Sequence, residues 1–236
     1  MANSSKSNTL ASESTHRLDL VGHVAVITGA SRGIGRAIAF NLALRGCSIL
    51  GTCTNEASLD SISSGLDGEV TQSYQEIVCL RPAQLRITGL IADIFSLDCS
   101  ALIANKLEES FNGRVDILIN SACDPMPRAN RQESHYVVLG LKLLAAKRKR
   151  YVAGLGAAHH FDTVSLLTGL TQTEAVMNCG PDMVAEFQKE FFPAQSIPRF
   201  GQPQDVADVV GLICSAEAKW ITGSVISASG GGIKIG

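Results

Sequence analysis

His23-Val-Ala-Val-Ile-Thr-Gly-Ala-Ser-Arg-Gly-Ile-Gly35 decides how the rest of the chain is read. Val24–Ile27 is an unbroken apolar run, as a strand buried on both faces requires. A turn follows with glycines at 29, 33 and 35, and Gly35–Arg45 then has the composition of a helix stopped by Gly46. A strand that passes through glycines straight into a helix presents free N–H groups and the positive end of a helix dipole. Glycine leaves no Cβ to hold a ligand off. Such a turn suits a pyrophosphate. Gly29, Ser31, Arg32, Gly33, Ile34 and Gly35 are therefore candidate binding residues, with backbone amides, the Ser31 hydroxyl and the Arg32 guanidinium as donors.

Outward from this unit, strand-like and helix-like segments alternate, the pattern of a parallel sheet with helices on both faces. Strands are expected at Ser48–Thr52, Arg86–Ile91, Val115–Ile119, Phe161–Leu167 and Ile221–Ser227. Helices are expected at Ala57–Leu66, Cys99–Phe111, Arg131–Arg150, Glu174–Cys179, Asp182–Phe192 and Pro203–Cys214. Asp67 to Pro82 is polar and reads as an irregular surface excursion, and Thr168 to Thr173 as a loop. Met1–His16, rich in Ser, Asn and Thr, reads as a disordered tail, and 17–236 as one domain.

Composition narrows the function. Of 236 residues, 45% are hydrophobic and 18% charged, enough for a substantial core. A net charge of −2 gives no pull toward nucleic acid or a membrane surface. No apolar run approaches the ~20 residues of a membrane span, and the N-terminus has no apolar signal core, so a cytoplasmic location is expected. The seven cysteines are scattered without metal-ligand spacing and read as reduced packing residues.

Thr28-Gly-Ala-Ser-Arg-Gly-Ile-Gly35 resembles the phosphate turn of the short-chain dehydrogenase/reductase family, whose fold is Rossmann-like. Asp93 is similar to the family's aspartate at the adenine ring. Asn120-Ser-Ala-Cys123 matches the first Asn of its Asn-Asn-Ala-Gly motif and departs at the second Asn and the Gly. Thr168-Gly-Leu-Thr-Gln-Thr173 resembles the loop over the nicotinamide, with Thr168 for Pro and Thr173 placed to bond the carboxamide. Pro198–Ala207 and Ile221–Gly231 resemble the closing segments. The resemblance covers residues 20–122 and 161–233 and implies a nicotinamide cofactor. Strand two ends in Cys53, Thr54 and Asn55 without a carboxylate to repel a 2′-phosphate, and Arg32 is near, so NADP(H) is expected rather than NAD.

The proton-transfer half of that family's site does not match. Its Tyr-x-x-x-Lys is absent. Of Tyr74, Tyr136 and Tyr151, only Tyr151 is followed by the small residues that normally separate the family's pair, and Leu155 stands where the Lys belongs. An apolar neighbour cannot lower a tyrosine pKa. The residues between Asn120 and Gly169 are too few for two crossovers with their helices. An internal deletion is inferred, covering the strand that carries the family's Ser, and the sheet is expected to be shortened around 125–160. Lys147–Arg150 and the pair His159-His160 are read as solvated, and the directions of Arg128, Arg131 and Asp162 stay open.

Three readings remain open. One is an NADP(H)-dependent reductase of a small carbonyl compound, or oxidase of the alcohol, with Tyr151 as proton donor and secondary metabolism as setting. Another is a cofactor-binding homologue without redox turnover: a regulator, a cyclisation catalyst or a partner in a hetero-oligomer. The third is a gene product lacking a segment. Partners are a small-molecule substrate and a possible second copy of the chain, with no metal, nucleic acid or membrane.

Overall fold

Val24–Thr28 forms β1, buried at every position, and Ser48–Cys53 forms β2, equally buried. They pair in parallel through the register Val24↔Ser48 to Ile27↔Gly51. These strands begin a seven-stranded sheet in a computed structural model that describes residues 17–77, 80–122, 137–143 and 162–233. The remaining strands are β3 (Ile87–Ile91), β4 (Ile117–Asn120), β5 (Val137–Leu143), β6 (Asp162–Thr168) and β7 (Ser224–Ala228), in spatial order β3-β2-β1-β4-β5-β6-β7. The helices are α1 (Gly33–Leu44), α2 (Glu56–Asp60), α3 (Asp67–Glu76), α4 (Cys99–Phe111), α5 (Glu174–Met177), α6 (Pro181–Phe191) and α7 (Pro203–Ile213). A π-helical stretch, Ser61–Leu66, joins α2 to α3. This is the expected Rossmann-like doubly wound α/β architecture.

Two apolar layers hold it together. On one face Ile38, Ala39 and Leu42 of α1 and Ala207, Val210 and Ile213 of α7 pack on Ile27, Ile49, Ile119, Val164 and Leu166 of the sheet. On the other, Leu107 and Phe111 of α4 cover Val24, Val26 and Leu50. Each such fully buried aliphatic side chain contributes about 1.5–3 kcal/mol relative to exposure. At the end of the sheet away from the glycine turn, buried Asp116 accepts hydrogen bonds from the Val24 amide (2.8 Å) and Arg114 Nε (2.7 Å), tying β1 to the entry of β4.

Three sequence expectations are corrected. Residues 67–76, read as irregular, form helix α3. Its two buried residues, Val70 and Tyr74, lie four apart, and the Tyr74 hydroxyl lies 3.0 Å from the carbonyls of Ala43 and Leu44 at the end of α1. Residues 137–143, expected inside a helix over Arg131–Arg150, form β5. That strand runs antiparallel to both β4 and β6, so the otherwise parallel sheet is mixed. Antiparallel neighbours need no crossover, which removes the length conflict between Asn120 and Gly169. The last strand starts at Ser224 rather than Ile221. Residues 1–16 and most of 123–161, the expected tail and Tyr151 among them, lie outside the described residues.

Candidate nucleotide site

The C-terminal ends of β1, β2, β3 and β4 lie along one edge of the sheet, with Thr28 beside Asn120 and Cys53 beside Ile91. At its centre the glycine turn folds back on itself. A Cβ on Gly35 would stand 2.2 Å from the Gly29 carbonyl oxygen, so the head of α1 sits against the strand end at a distance only glycine permits. Gly29 and Gly33 have φ of +69° and +57°. Arg32 occupies the cap position of α1 without a side-chain cap bond, leaving the amides of the first turn, Gly33 to Gly35, without a capping acceptor. The turn is held from below: the Ala30 amide donates to the Thr52 carbonyl (3.0 Å) and the Ser61 hydroxyl to the Ser31 carbonyl (3.1 Å). Half-buried Ile34 packs its side chain on the core, so only its backbone serves the turn.

The two arginines of this region differ in their freedom. Arg36 donates to the Ser61 carbonyl (2.7 Å) and pairs with Glu69 (2.8 Å). Arg32 has 65% of its side chain exposed and only a 3.8 Å approach to Glu174. Cys53, the last residue of β2, is buried, and burial pushes its thiol pKa up. Thr54 is exposed, and Asn55 caps α2 by accepting from the Ser58 amide at 2.9 Å. The first carboxylate beyond β2 is Glu56, at the start of α2. Asp93, just past β3, is exposed and accepts from the Phe95 amide at 3.0 Å, a local turn that fixes its carboxylate at the edge.

Asn120 ends β4 with its side chain exposed. Beside it on β1, the buried Thr28 hydroxyl accepts from the Ser121 (3.0 Å) and Ala122 (3.1 Å) amides and ties β1 to the end of β4. Sequence reading missed Thr28 because its place in the motif drew attention to the glycines. Its signal was a hydroxyl residue ending an otherwise apolar strand.

The loop after β6 lies over the turn: the Thr173 methyl group is 3.5 Å from where a Gly33 Cβ would be. Thr173 also caps α5, accepting from the Val176 amide at 3.4 Å. The loop is anchored by Gln172 N donating to the Gly201 carbonyl (2.7 Å) and by Gly201 N donating to the Leu170 carbonyl (2.9 Å). Behind that anchor, the Arg199 guanidinium holds the Asp205 carboxyl below its usual pKa, and Asp205 accepts from the Gln202 amide at 2.6 Å. A pocket of about 200 Å³ opens beside Gly169 and Leu170, walled by Glu190, Phe191 and Gln195. The structure thus brings ten sequence-predicted residues to one edge, Gly29, Ser31–Gly35, Thr54, Asp93, Asn120 and Thr173.

The short chain dehydrogenase family matches residues 23–136. A 7α-hydroxysteroid dehydrogenase from Escherichia coli is 26% identical, covering 92% of this chain and 96% of its own. That alignment runs over 265 positions, so several dozen positions of the relative have no counterpart here. Among solved structures, L-sorbose reductase from Gluconobacter frateurii, complexed with NADPH and L-sorbose, superposes with a TM-score of 0.64 at 17% identity over 92% of this chain and 99% of its own. A 7α-hydroxysteroid dehydrogenase complexed with NADH gives 0.63 at 19% identity over 93% and 98%. No helix among the described residues is long and apolar enough to cross a membrane. By its glycine turn, its sheet and these matches, the chain is similar to the short-chain dehydrogenase/reductase family of oxidoreductases.

Proposed function

We propose that this protein holds NADP(H) along the C-terminal edge of its sheet and that hydride transfer there is impaired. The observation that carries the nucleotide half is the Gly35–Gly29 approach, a cradle that a single Cβ would fill. Backbone amides of Gly33–Gly35 would take the pyrophosphate, Asp93 the adenine end, and Thr173 the nicotinamide end. When bound, the nicotinamide supplies or accepts a hydride. The two neighbouring structures differ in cofactor, NADPH in one and NADH in the other, so the choice rests on this chain's residues. Exposed Arg32 and Thr54 near a strand end without a carboxylate favour the 2′-phosphate.

Impairment follows from β5. Because it enters antiparallel, its last residue, Leu143, lies at the opposite edge beside Asp162, and its C-terminal end points away from the candidate nucleotide site. The four-residue partner of Tyr151 is Leu155. Calorimetry with NADPH and NADH, followed by NADPH absorbance against a panel of carbonyl compounds across pH, tests both halves. The expected result is heat of binding, larger affinity for NADPH, and no absorbance loss; absence of binding by a folded sample refutes the reading. A second reading, a working reductase of a small carbonyl compound with Tyr151 as proton donor, is favoured by the pocket at Gly169–Leu170, three residues from Thr173. Carbonyl-dependent NADPH consumption that disappears in Tyr151→Phe would establish it.

A further inference from the structure

The glycine turn is touched from below by a π-helical stretch, and Ser61 makes the contact. Ser61 opens that stretch, and its hydroxyl donates to the Ser31 carbonyl at 3.1 Å. Helices of this kind are rare and recur at functional sites. Arg36 of α1 reaches the same residue. It donates to the Ser61 carbonyl (2.7 Å) and to the Ser61 hydroxyl (3.0 Å), and its other nitrogen pairs with Glu69 of α3 (2.8 Å). A guanidinium can only donate, so the hydroxyl accepts from Arg36 and keeps its single proton for Ser31.

The stretch that carries Ser61 is firmly seated. Ile62 and Leu66 are fully buried in the core. Beneath them Gly51 of β2 and Gly89 of β3 are cross-strand partners. A Cβ on Gly89 would stand 2.5 Å from Leu59 and 2.8 Å from the Ser63 hydroxyl, and one on Gly51 would stand 3.1 Å from Ile62. The stretch therefore lies directly on sheet backbone, where the Ser63 hydroxyl accepts from the Gly89 amide at 3.2 Å.

The consequence falls on Arg32. The peptide joining Ser31 to Arg32 is planar, and its oxygen shares that plane with the Arg32 nitrogen and Cα. Fixing the oxygen at Ser61 fixes the point from which the Arg32 side chain departs. That side chain is 65% exposed and meets Glu174 only at 3.8 Å, so packing does little to aim it and the backbone does most. We propose that Ser61 is a positioning residue for coenzyme choice. Held by Arg36 and Glu69, it sets the Ser31–Arg32 peptide so that the Arg32 guanidinium meets the 2′-phosphate of NADP(H). The assignment rests on the turn holding that nucleotide. Ser61 does not touch the nucleotide and acts through Arg32.

Calorimetric titration with NADPH and with NADH reads the effect as the ratio of the two affinities. Ser61→Ala removes one neutral hydrogen bond and should lower NADPH affinity roughly two- to fivefold, with NADH nearly unchanged. Ser61→Thr keeps the hydroxyl and should restore the ratio. In an Arg32→Ala background, Ser61→Ala should add nothing. A role confined to holding the fold would lower the melting temperature and weaken both coenzymes alike. If Ser61→Ala fails to fold, Glu69→Gln at an exposed position loosens Arg36 and should shift the ratio in the same direction by a smaller factor. Equal loss for both coenzymes overturns the proposal. So does a ratio that the folded variant leaves unmoved, or an effect that persists without the Arg32 guanidinium. A folded, unaltered chain that binds neither coenzyme overturns the nucleotide reading and this assignment together, whereas binding with an unmoved ratio overturns this assignment alone.

Discussion

Gly35→Ala is the substitution that most directly probes the cradle. The new Cβ would lie 2.2 Å from the Gly29 carbonyl oxygen, about 1 Å short of any ordinary contact. The obstacle is backbone, so no side-chain rotation relieves it; either α1 slides or the turn opens. Overpacking of this kind costs roughly 1–3 kcal/mol, while replacing glycine in a helix returns up to about 1 kcal/mol. A net loss of about 1–2 kcal/mol lowers the melting temperature of a chain this size by roughly 2–8 °C. Nucleotide binding should suffer more, because the displaced atoms are the ones proposed to hold the pyrophosphate. Losing one charge-assisted amide–phosphate bond removes about 1.5–3 kcal/mol, which weakens NADPH binding roughly 10- to 100-fold. Gly68→Ala is the control: it lies in α3 with no heavy atom within 4 Å of the new Cβ. It should stabilise by up to about 1 kcal/mol and leave nucleotide affinity unchanged. Thermal unfolding and calorimetric titration of the two variants decide the matter. Wild-type NADPH affinity in Gly35→Ala would refute the assignment of this turn as the phosphate cradle.

Arg32→Ala should weaken NADPH by about fivefold, an exposed phosphate contact contributing about 1 kcal/mol, and leave NADH nearly unchanged in the same titration. Asp116→Ala strips the acceptor from the buried Val24 amide and should cost about 1–3 kcal/mol in urea unfolding. Asp205 is held below its usual pKa first by its hydrogen bond with Arg199. Its stabilising share is therefore complete above the ordinary aspartate value of about 3.9 and is lost as pH falls through the lower folded value. In an acid titration of thermal stability, Arg199→Ala should shift the Asp205 step to higher pH. Burial pushes the Cys47 thiol far up, so a maleimide at mildly alkaline pH should label it only after unfolding, as peptide mapping would read.

The strands and the turn were legible because their signals are local. Val24–Ile27 and Ser48–Thr52 are continuous apolar runs, and each glycine of the turn carries a requirement that can be read one residue at a time. Helix α3 was not, because its anchoring is tertiary. In Asp67–Glu76 only Val70 and Tyr74 are buried, too sparse a stripe to stand out from a polar background. What fixes the segment is the Tyr74 hydroxyl at the α1 carbonyls, a contact between residues 30 and 31 apart. The tie that Thr28 makes between β1 and β4 was not legible, because the motif draws attention to its glycines and not to the hydroxyl that ends the strand before them.

β5 shows a deeper limit. Val137-Val-Leu-Gly-Leu-Lys-Leu143 is as strand-like as any run in the chain, yet its setting between arginine-rich flanks read as a helix. That reading assumed a parallel sheet, in which 31 residues from Asn120 to Tyr151 had to accommodate a crossover. Reversing one strand removes that demand: β5 begins at the edge where β4 ends and finishes beside the start of β6 at the other, so β6 and β7 keep their direction. A sheet accommodates a reversed strand because backbone pairing is indifferent to which end of a strand comes first. The chemistry is not indifferent. A reversed strand turns its C-terminal end away from the candidate nucleotide edge, and the proposed impairment rests on that direction. The argument fails if residues 137–143 prove parallel to β4. Cross-strand backbone NOEs decide this, with antiparallel pairing requiring contacts of Ile119 with Leu141 and of Ile117 with Leu143.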